Sequence, residues 1–290
     1  MFLIRFVAQQ MFYVMKLDSR PHAWALSDEV TSIDDIDRKF GLITYYKGGS
    51  VLRMIEFFLG TETVKKGLSK YLKDLSFSSA VEEDLFIHLE AAALEDGSWP
   101  QPGVSSDLTE VLKSWTQQPG LPVVTVSRSG DASVKISQSR YQNTETPSDQ
   151  AWSIPITLAD LSSPGTIDWD NTVPDLWLTP ASPEVSLDLS SGAIPLLNKK
   201  ATGYYRVAYD EEMWREIATV LQSDYQSIHP YNRSVWCLWR ASPHYLPQGP
   251  DHLRHCSHVS TRLHGPGPGC GGDQLVRGHR GGVCGGPRLH

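Results

Sequence analysis

The chain has 290 residues, 40% apolar and 20% charged, with 26 Lys and Arg against 33 Asp and Glu for a net charge of -7. That is enough chain for one large domain or two ordinary ones, and no apolar run in it approaches the roughly 18 residues a membrane span requires. The acidic balance argues against general binding to a phosphate backbone, which needs a basic surface to release counterions, so no nucleic-acid partner is expected.

The averages conceal a break. Residues 1–233 hold no cysteine, 20 Lys and Arg, and 31 Asp and Glu. Residues 234–290 hold all four cysteines, 7 of the 10 histidines and 11 of the 23 glycines. That tail has six arginines against two aspartates and lacks Lys, Glu, Phe, Ile, Asn and Met altogether.

Met1-Phe2-Leu3-Ile4 starts like a signal peptide, but Arg5, Gln9 and Gln10 interrupt it and no small-residue cleavage site follows. Phe6, Gln10, Tyr13, Val14 and Leu17 fall at helical spacing, which predicts a helix ending near Asp18. Ser19 to Ser32 is polar, contains Pro21 and reads as a loop. Val51, Met54, Ile55 and Phe58, then Val64, Leu68, Tyr71, Leu72 and Leu75, place apolar stripes on two further helices separated by Gly60. Ser79-x-x-Glu82 has the form of a capping box opening a helix through Val81, Leu85, Leu89 and Ala92, and Gly97 with Pro100 ends it. A last helix of this series carries Leu108, Val111, Leu112 and Trp115 and stops at Pro119-Gly120.

The period then changes. Val124, Val126, Val134 and Ile136 alternate with polar residues, as do Ile154, Ile156 and Leu158, and Trp177, Leu187 and Leu189 lie in similar short runs. Turn residues punctuate them at short intervals, the pattern of a small antiparallel sandwich. Tyr204 to Tyr209 reads as its last strand, after which Asp210 caps a helix bearing Met213, Trp214, Ile217, Val220 and Leu221.

Phe40 to Met54, with Tyr45-Tyr46-Lys47-Gly48-Gly49 at its centre, resembles the Tyr-x-Lys-Gly segment of the zinc aminopeptidases of the membrane alanyl aminopeptidase (aminopeptidase N) family. Three further stretches match that family in the same order. Trp115 to Val123 resembles the junction between its catalytic and sandwich domains, and Ala151 to Ile156 resembles a sandwich strand. Leu197-Asn198 through Ala201 to Asp210 resembles the lead-in to its C-terminal helical domain. The resemblance covers roughly residues 1–233, and insect-type gut enzymes look closest.

The fold this implies is mixed α and β and multi-domain. Residues 1–118 would be the helical C-terminal part of a thermolysin-like catalytic domain, and 119–202 a β-sandwich. Residues 203–233 would begin an α-helical domain, and 234–290 would be a disordered tail read in a shifted frame. The family's zinc site needs His-Glu-x-x-His on one helix, a second Glu, and a Gly-x-Met-Glu-Asn strand for the substrate's amino terminus. None of these occurs in the chain, so no zinc is expected to be held by it, and it reads as a fragment following the metal site.

Tyr45 is the one catalytic residue that maps over. The resemblance implies that its phenol donates a hydrogen bond to the oxyanion formed when zinc-bound water attacks a peptide carbonyl. The plain alternative is a half-buried aromatic whose hydroxyl is bonded locally. His22, His88 and His229 are isolated and lack ligand spacing. Lys65, Lys66, Lys70 and Lys73 lie among acids and read as a solvated helix face. Gly48-Gly49 lacks the surroundings of a phosphate loop and reads as a helix start. In the tail, His252, His255, Cys256 and His258 match no common zinc spacing, and Cys270 and Cys284 lack a matching half-site. For the intact family the resemblance implies peptide substrates, a plasma-membrane location facing outward, and allows a homodimer. The competing reading is a non-enzymatic, receptor-like member that binds through its sandwich and helices.

Overall fold

A computed structural model describes residues 5–28, 30–142 and 148–240. The tail cysteines Cys256, Cys270 and Cys284 and the histidines around them lie outside the described residues.

The helices come first. The opening helix is π-wound over Phe6–Met11 and α-wound over Phe12–Asp18 (α1), and its end at Asp18 is where the periodicity places it. A short helix at Ile33–Lys39 (α2) has no counterpart in the periodicity reading. Its apolar residues Ile33 and Ile36 are exposed, so no core-facing stripe marks it. Polar chemistry starts it instead, with Ser32 Oγ accepting from Asp35 N at 3.2 Å and Asp34 and Asp35 in the first turn, where the helix dipole favours acids. A π-wound turn over Ile43–Lys47 leads directly into α3 at Gly48–Leu59.

Thr61–Asp74 (α4) and Glu82–Asp96 (α5) form a packed antiparallel pair. The proposed capping box falls two residues early. The N-cap of α5 is Val81, whose N–H donates to Asp84 Oδ2 at 2.9 Å. Valine has no acceptor to return the bond, so only half the motif forms. Three of the four lysines of α4 are paired as a solvated face requires: Lys65 with Glu62 at 2.8 Å, Lys66 with Glu95 at 2.9 Å and Lys70 with Glu95 at 2.6 Å. Exposed pairs of this kind contribute about 0–1 kcal/mol each.

The close approach of α4 to α5 occurs at Gly67. A methyl there would stand 3.0 Å from Leu89 Cα and 3.1 Å from the His88 carbonyl. In an open helix Gly→Ala gains about 1 kcal/mol, but contact with a neighbouring backbone reverses the sign. Gly67→Ala is therefore expected to destabilise by about 1–3 kcal/mol, measured as a lower melting temperature. A rise in melting temperature would show that the two helices can separate at no cost.

Leu108–Thr116 (α6) follows, its N-terminus capped from a distance by Glu90, which accepts from Leu108 N at 3.0 Å and from the Thr109 hydroxyl at 2.7 Å. The strands are β1 Leu121–Gly130, β2 Ser133–Tyr141, β3 Ile154–Ile156, β4 Leu158–Asp160, β5 Leu176–Leu178, β6 Glu184–Asp188, β7 Pro195–Leu197 and β8 Arg206–Tyr209. One sheet runs in the order β6-β2-β1-β8, while β3 with β5 and β4 with β7 form two-stranded pieces. Val124, Val126, Val134 and Ile136 are fully buried on this sheet. The expectation of a purely antiparallel arrangement needs correcting. β8 runs parallel to β1, with Val123 opposite Arg206 and Val126 opposite Tyr209. A parallel neighbour requires a long crossover, and residues 133–205 supply it. β8 thus shares a sheet with β1, β2 and β6.

Helices and strands share one core. Trp115 of α6 packs against Trp152 with ring centroids 6.4 Å apart, and its indole N–H donates to the Ser153 carbonyl at 2.9 Å. Phe58 and Trp99 meet Trp177 edge-on at 5.3 and 5.7 Å. Gln101 joins them, donating to the Phe58 carbonyl and accepting from the Trp177 indole.

Glu211–Ser223 (α7) begins as its sequence predicts, with Asp210 Oδ1 accepting from Met213 N at 2.9 Å. Ile217 is fully buried, and Trp214 is half-buried with its ring edge-on to Tyr209 at 5.3 Å. A final helix, Pro230–Arg240 (α8), runs across the compositional break at Ser234. Asn232 ties it to the turn that follows β7, donating to the Asn198 carbonyl and accepting from Lys200 N, both at 2.8 Å. The only Asn-x-Ser/Thr sequence in the chain therefore has its asparagine buried and bonded at both ends.

Before α8, His229 lies against Trp169 and Tyr231, with ring centroids 5.6 and 4.8 Å away. Burial, with Lys200 and Arg233 adding to it and Asp170 opposing, pulls its imidazole down from 6.5 to about 4. The folded state therefore binds this proton less tightly than the unfolded state. Its contribution to stability is intact above about 6.5 and is lost progressively as pH falls toward 4. The ring is half-exposed, so screening limits the effect to at most about 1 kcal/mol. His229→Gln is expected to flatten this part of the stability profile between pH 7 and 4.5. An unchanged slope would show that other groups carry it.

Candidate active site

The π-wound turn Ile43–Lys47 is the local structure that presents Tyr45. Extra residues in a helical turn leave carbonyls poorly partnered, and such widened turns recur at functional positions. Here Gly48 N donates to both the Thr44 and Tyr45 carbonyls, Ser50 Oγ donates to the Tyr46 carbonyl at 2.6 Å, and the Thr44 hydroxyl donates to the Lys39 carbonyl. Gly48 and Gly49 open α3, the role expected of them.

Tyr45 is 62% exposed, and its hydroxyl has no hydrogen-bond partner among the described residues. The picture of a half-buried ring with a locally bonded hydroxyl does not describe it. Tyr46 is half-buried. The turn thus aims one phenol at solvent, free to donate. Nearby in sequence the chain exposes Ile33, Phe40, Leu42 and Leu52 as well.

Lys47 points the other way and is fully buried. Its ammonium lies 3.1 Å from Asp18 Oδ2, and it donates to the Gly120 carbonyl at 2.9 Å and the Gln118 carbonyl at 3.3 Å. Asp18, also fully buried, accepts from Gly120 N at 2.9 Å through Oδ1 and from the Tyr204 hydroxyl at 3.2 Å through Oδ2. Burial pushes the Lys47 ammonium below its usual range while the adjoining Asp18 carboxylate opposes that, and burial pushes the Tyr204 phenol well up. Gly120 holds φ at +89°, and a Cβ there would lie 2.8 Å from Arg140 Nε, so glycine is required at this node.

The four stretches that resemble one family in sequence meet here in space. Gln118 Nε2 donates to the Ala151 carbonyl at 2.7 Å, and Trp115 donates to Ser153. Tyr205 donates to the Pro155 carbonyl at 3.0 Å. Arg53, six residues beyond Lys47, donates to the Ala201 carbonyl at 2.6 Å and the Lys200 carbonyl at 3.2 Å. Burial lowers its guanidinium to about 10. The loop it grips holds Asn198, Lys200 and Ala201 at positive φ, conformations that need such outside support. Sequence reasoning assigned chemistry to Tyr45 and missed Lys47, Asp18 and Arg53. Lys47 and Arg53 were in view within the motif, whereas nothing in the local pattern marks Asp18 as their neighbour.

Residues 2–115 match the peptidase family M1 domain. Membrane alanyl aminopeptidase of Heliothis virescens is 32% identical over 235 residues, covering 79% of this chain and 23% of that protein. Aminopeptidase N of Plutella xylostella is 35% identical over 212 residues, covering 71% of this chain and 22% of that protein. Human aminopeptidase N is 33% identical over 239 residues, covering 79% and 23%. The chain thus spans under a quarter of the length of these curated relatives. Their names bear out the resemblance to aminopeptidases read from Phe40–Met54 and the three later stretches.

Among the described residues, no group of three or more His, Cys, Asp or Glu is placed to hold a metal ion. His22 is exposed. His88 is engaged by the Asp84 carbonyl at 2.5 Å and Asp74 Oδ2 at 3.2 Å, and His229 by its aromatic neighbours. The described residues therefore do not fit a zinc site. No helix among the described residues is long and apolar enough to cross a membrane.

Proposed function

We propose that this chain supplies the oxyanion-binding edge of an aminopeptidase active site, with Tyr45 as the group that touches substrate. The activity served would be removal of N-terminal residues from peptides by a zinc-dependent enzyme of the aminopeptidase N type, on the outer face of a cell membrane. Residues 1–118 would complete its catalytic domain, the strands would form the adjoining sandwich, and α7 and α8 would begin a helical domain.

One observation carries this reading. The exposed Tyr45 hydroxyl, unbonded among the described residues, sits on a π-wound turn whose other face is locked into the core by Lys47. A phenol held in this way can donate to a peptide carbonyl oxygen as that oxygen gains negative charge, and it pays little reorganisation at that moment. The described residues offer no group of three or more metal ligands, so hydrolysis would need the metal-bearing segment of the relatives.

The test joins the two. The 290-residue chain alone is expected to give no turnover of an alanyl or leucyl chromogenic substrate and no stoichiometric zinc. Fused behind the segment of a relative that carries His-Glu-x-x-His, it is expected to yield an active, zinc-containing enzyme. Turnover by the 290 residues alone, or a folded, zinc-loaded fusion without activity, would overturn the proposal.

A further inference from the structure

We propose that the buried Asp18–Lys47 ion pair is a positioning device for Tyr45, fixing the π-wound turn that carries the phenol against the end of α1 and the start of β1. The inference rests on the reading of Tyr45 as the substrate-facing group and goes beyond it by naming what holds that group in place.

The geometry makes the case. Lys47 is the last residue of the turn, two positions after Tyr45. All three of its ammonium donors have acceptors, from Asp18, Gly120 and Gln118. Those acceptors belong to two chain segments far apart in sequence, and Asp18 binds the Gly120 N–H in return. The turn is thereby referenced to two other parts of the fold by directional bonds. The Tyr45 ring has no such bonds of its own among the described residues, so its place follows from its backbone. That backbone is tied on both sides, Tyr45 N donating to the Gly41 carbonyl at 3.3 Å and the Tyr45 carbonyl accepting from Gly48 N.

Stability alone is a poor explanation of this pair. Replacing a buried ion pair with apolar groups of similar volume is often neutral or stabilising. Methionine at position 47 would fill the space but impose no direction. An oxyanion donor does require direction, because displacement of about 1 Å can cost about 10²-fold in rate.

The experiment uses the full 290-residue chain with 3-fluorotyrosine placed at position 45 alone and follows its fluorine resonance. Asp18→Asn combined with Lys47→Met removes both charges while keeping volume. It is expected to shift the resonance and replace its single sharp signal with a broadened or split one. Gly67→Ala, which loosens the distant contact between α4 and α5, is expected to lower the melting temperature and leave the signal in place. A resonance unmoved in the double variant, or moved as far by Gly67→Ala, would overturn the proposal. If the double variant does not fold, Asp18→Glu keeps both charges and lengthens only one arm of the pair; it is expected to give a smaller shift, and no shift there is equally decisive. The outcome is independent of catalysis. A fluorine signal that moves as expected, beside a Tyr45→Phe enzyme of undiminished turnover, would keep the positioning role and remove the catalytic one.

Discussion

Tyr45→Phe, in a fusion that supplies the metal-bearing segment, is expected to lower kcat about 10²–10³-fold, the usual cost of removing one oxyanion donor. KM should change little, because the hydroxyl acts on charge that develops only in the transition state. Tyr46→Phe should cost much less. The two tyrosines are neighbours in sequence, but the turn exposes Tyr45 and leaves Tyr46 half-buried. The structure adds a second expectation. The Tyr45 hydroxyl has no partner among the described residues, so its removal should leave the melting temperature unchanged. A kinetic loss without a thermal one separates a role in chemistry from a role in folding. Equal kinetic losses from both substitutions would show that the register of the Tyr-x-Lys-Gly segment is wrong.

How much of this could be read from sequence varies with the range of the interaction. The helical stripes of α3, α5 and α6 were legible because each buries one face, and burial at a period of 3.6 leaves a mark in a short window; on α4 the stripe held only in part, since Leu72 is exposed and the buried residues are Thr63 and Gly67. Asp210 was legible as a cap because its partner, Met213 N, is three residues away. Helix α2 was invisible, since Ile33 and Ile36 face solvent and only Ser32, Asp34 and Asp35 mark its start. The π winding of Phe6–Met11 and Ile43–Lys47 was invisible for another reason. Widening a turn changes which carbonyl each N–H meets and leaves the apolar stripe almost unaltered.

Non-local pairing was the larger loss. That β8 lies parallel to β1 depends on a crossover of more than sixty residues, roughly five times the minimum for such a link, and no local pattern encodes it. The site divides in the same way. Tyr45 was legible through its motif, while the burial of Lys47 was not. Lysine is almost never fully buried without a partner, and the partner here, Asp18, lies in a different helix. The compositional break at Ser234 is real in sequence, yet α8 continues through it to Arg240, with Asn232 and Ser234 buried and Asn232 bonded to the turn at Asn198 and Lys200.

Lys47→Met is expected to cost about 3–5 kcal/mol, the penalty for stranding one member of a buried ion pair. Methionine matches the length of the side chain but donates nothing. Asp18 would keep the Gly120 N–H and the Tyr204 hydroxyl and lose its counter-charge, and the Gly120 and Gln118 carbonyls would lose their ammonium donor. Each of those losses is costly because water is not there to replace the bond. Domains have about 5–15 kcal/mol of stability in all, so the variant should lie near the edge of folding, with urea unfolding moved to much lower denaturant. Adding Asp18→Asn removes the stranded charge, and the double variant should be more stable than Lys47→Met alone. That non-additivity, measured as a double-mutant cycle, is the signature of direct coupling between the two side chains. A loss below about 1 kcal/mol for Lys47→Met, the range of an exposed pair, would mean that the ammonium reaches water and that the turn carrying Tyr45 is not locked into the core.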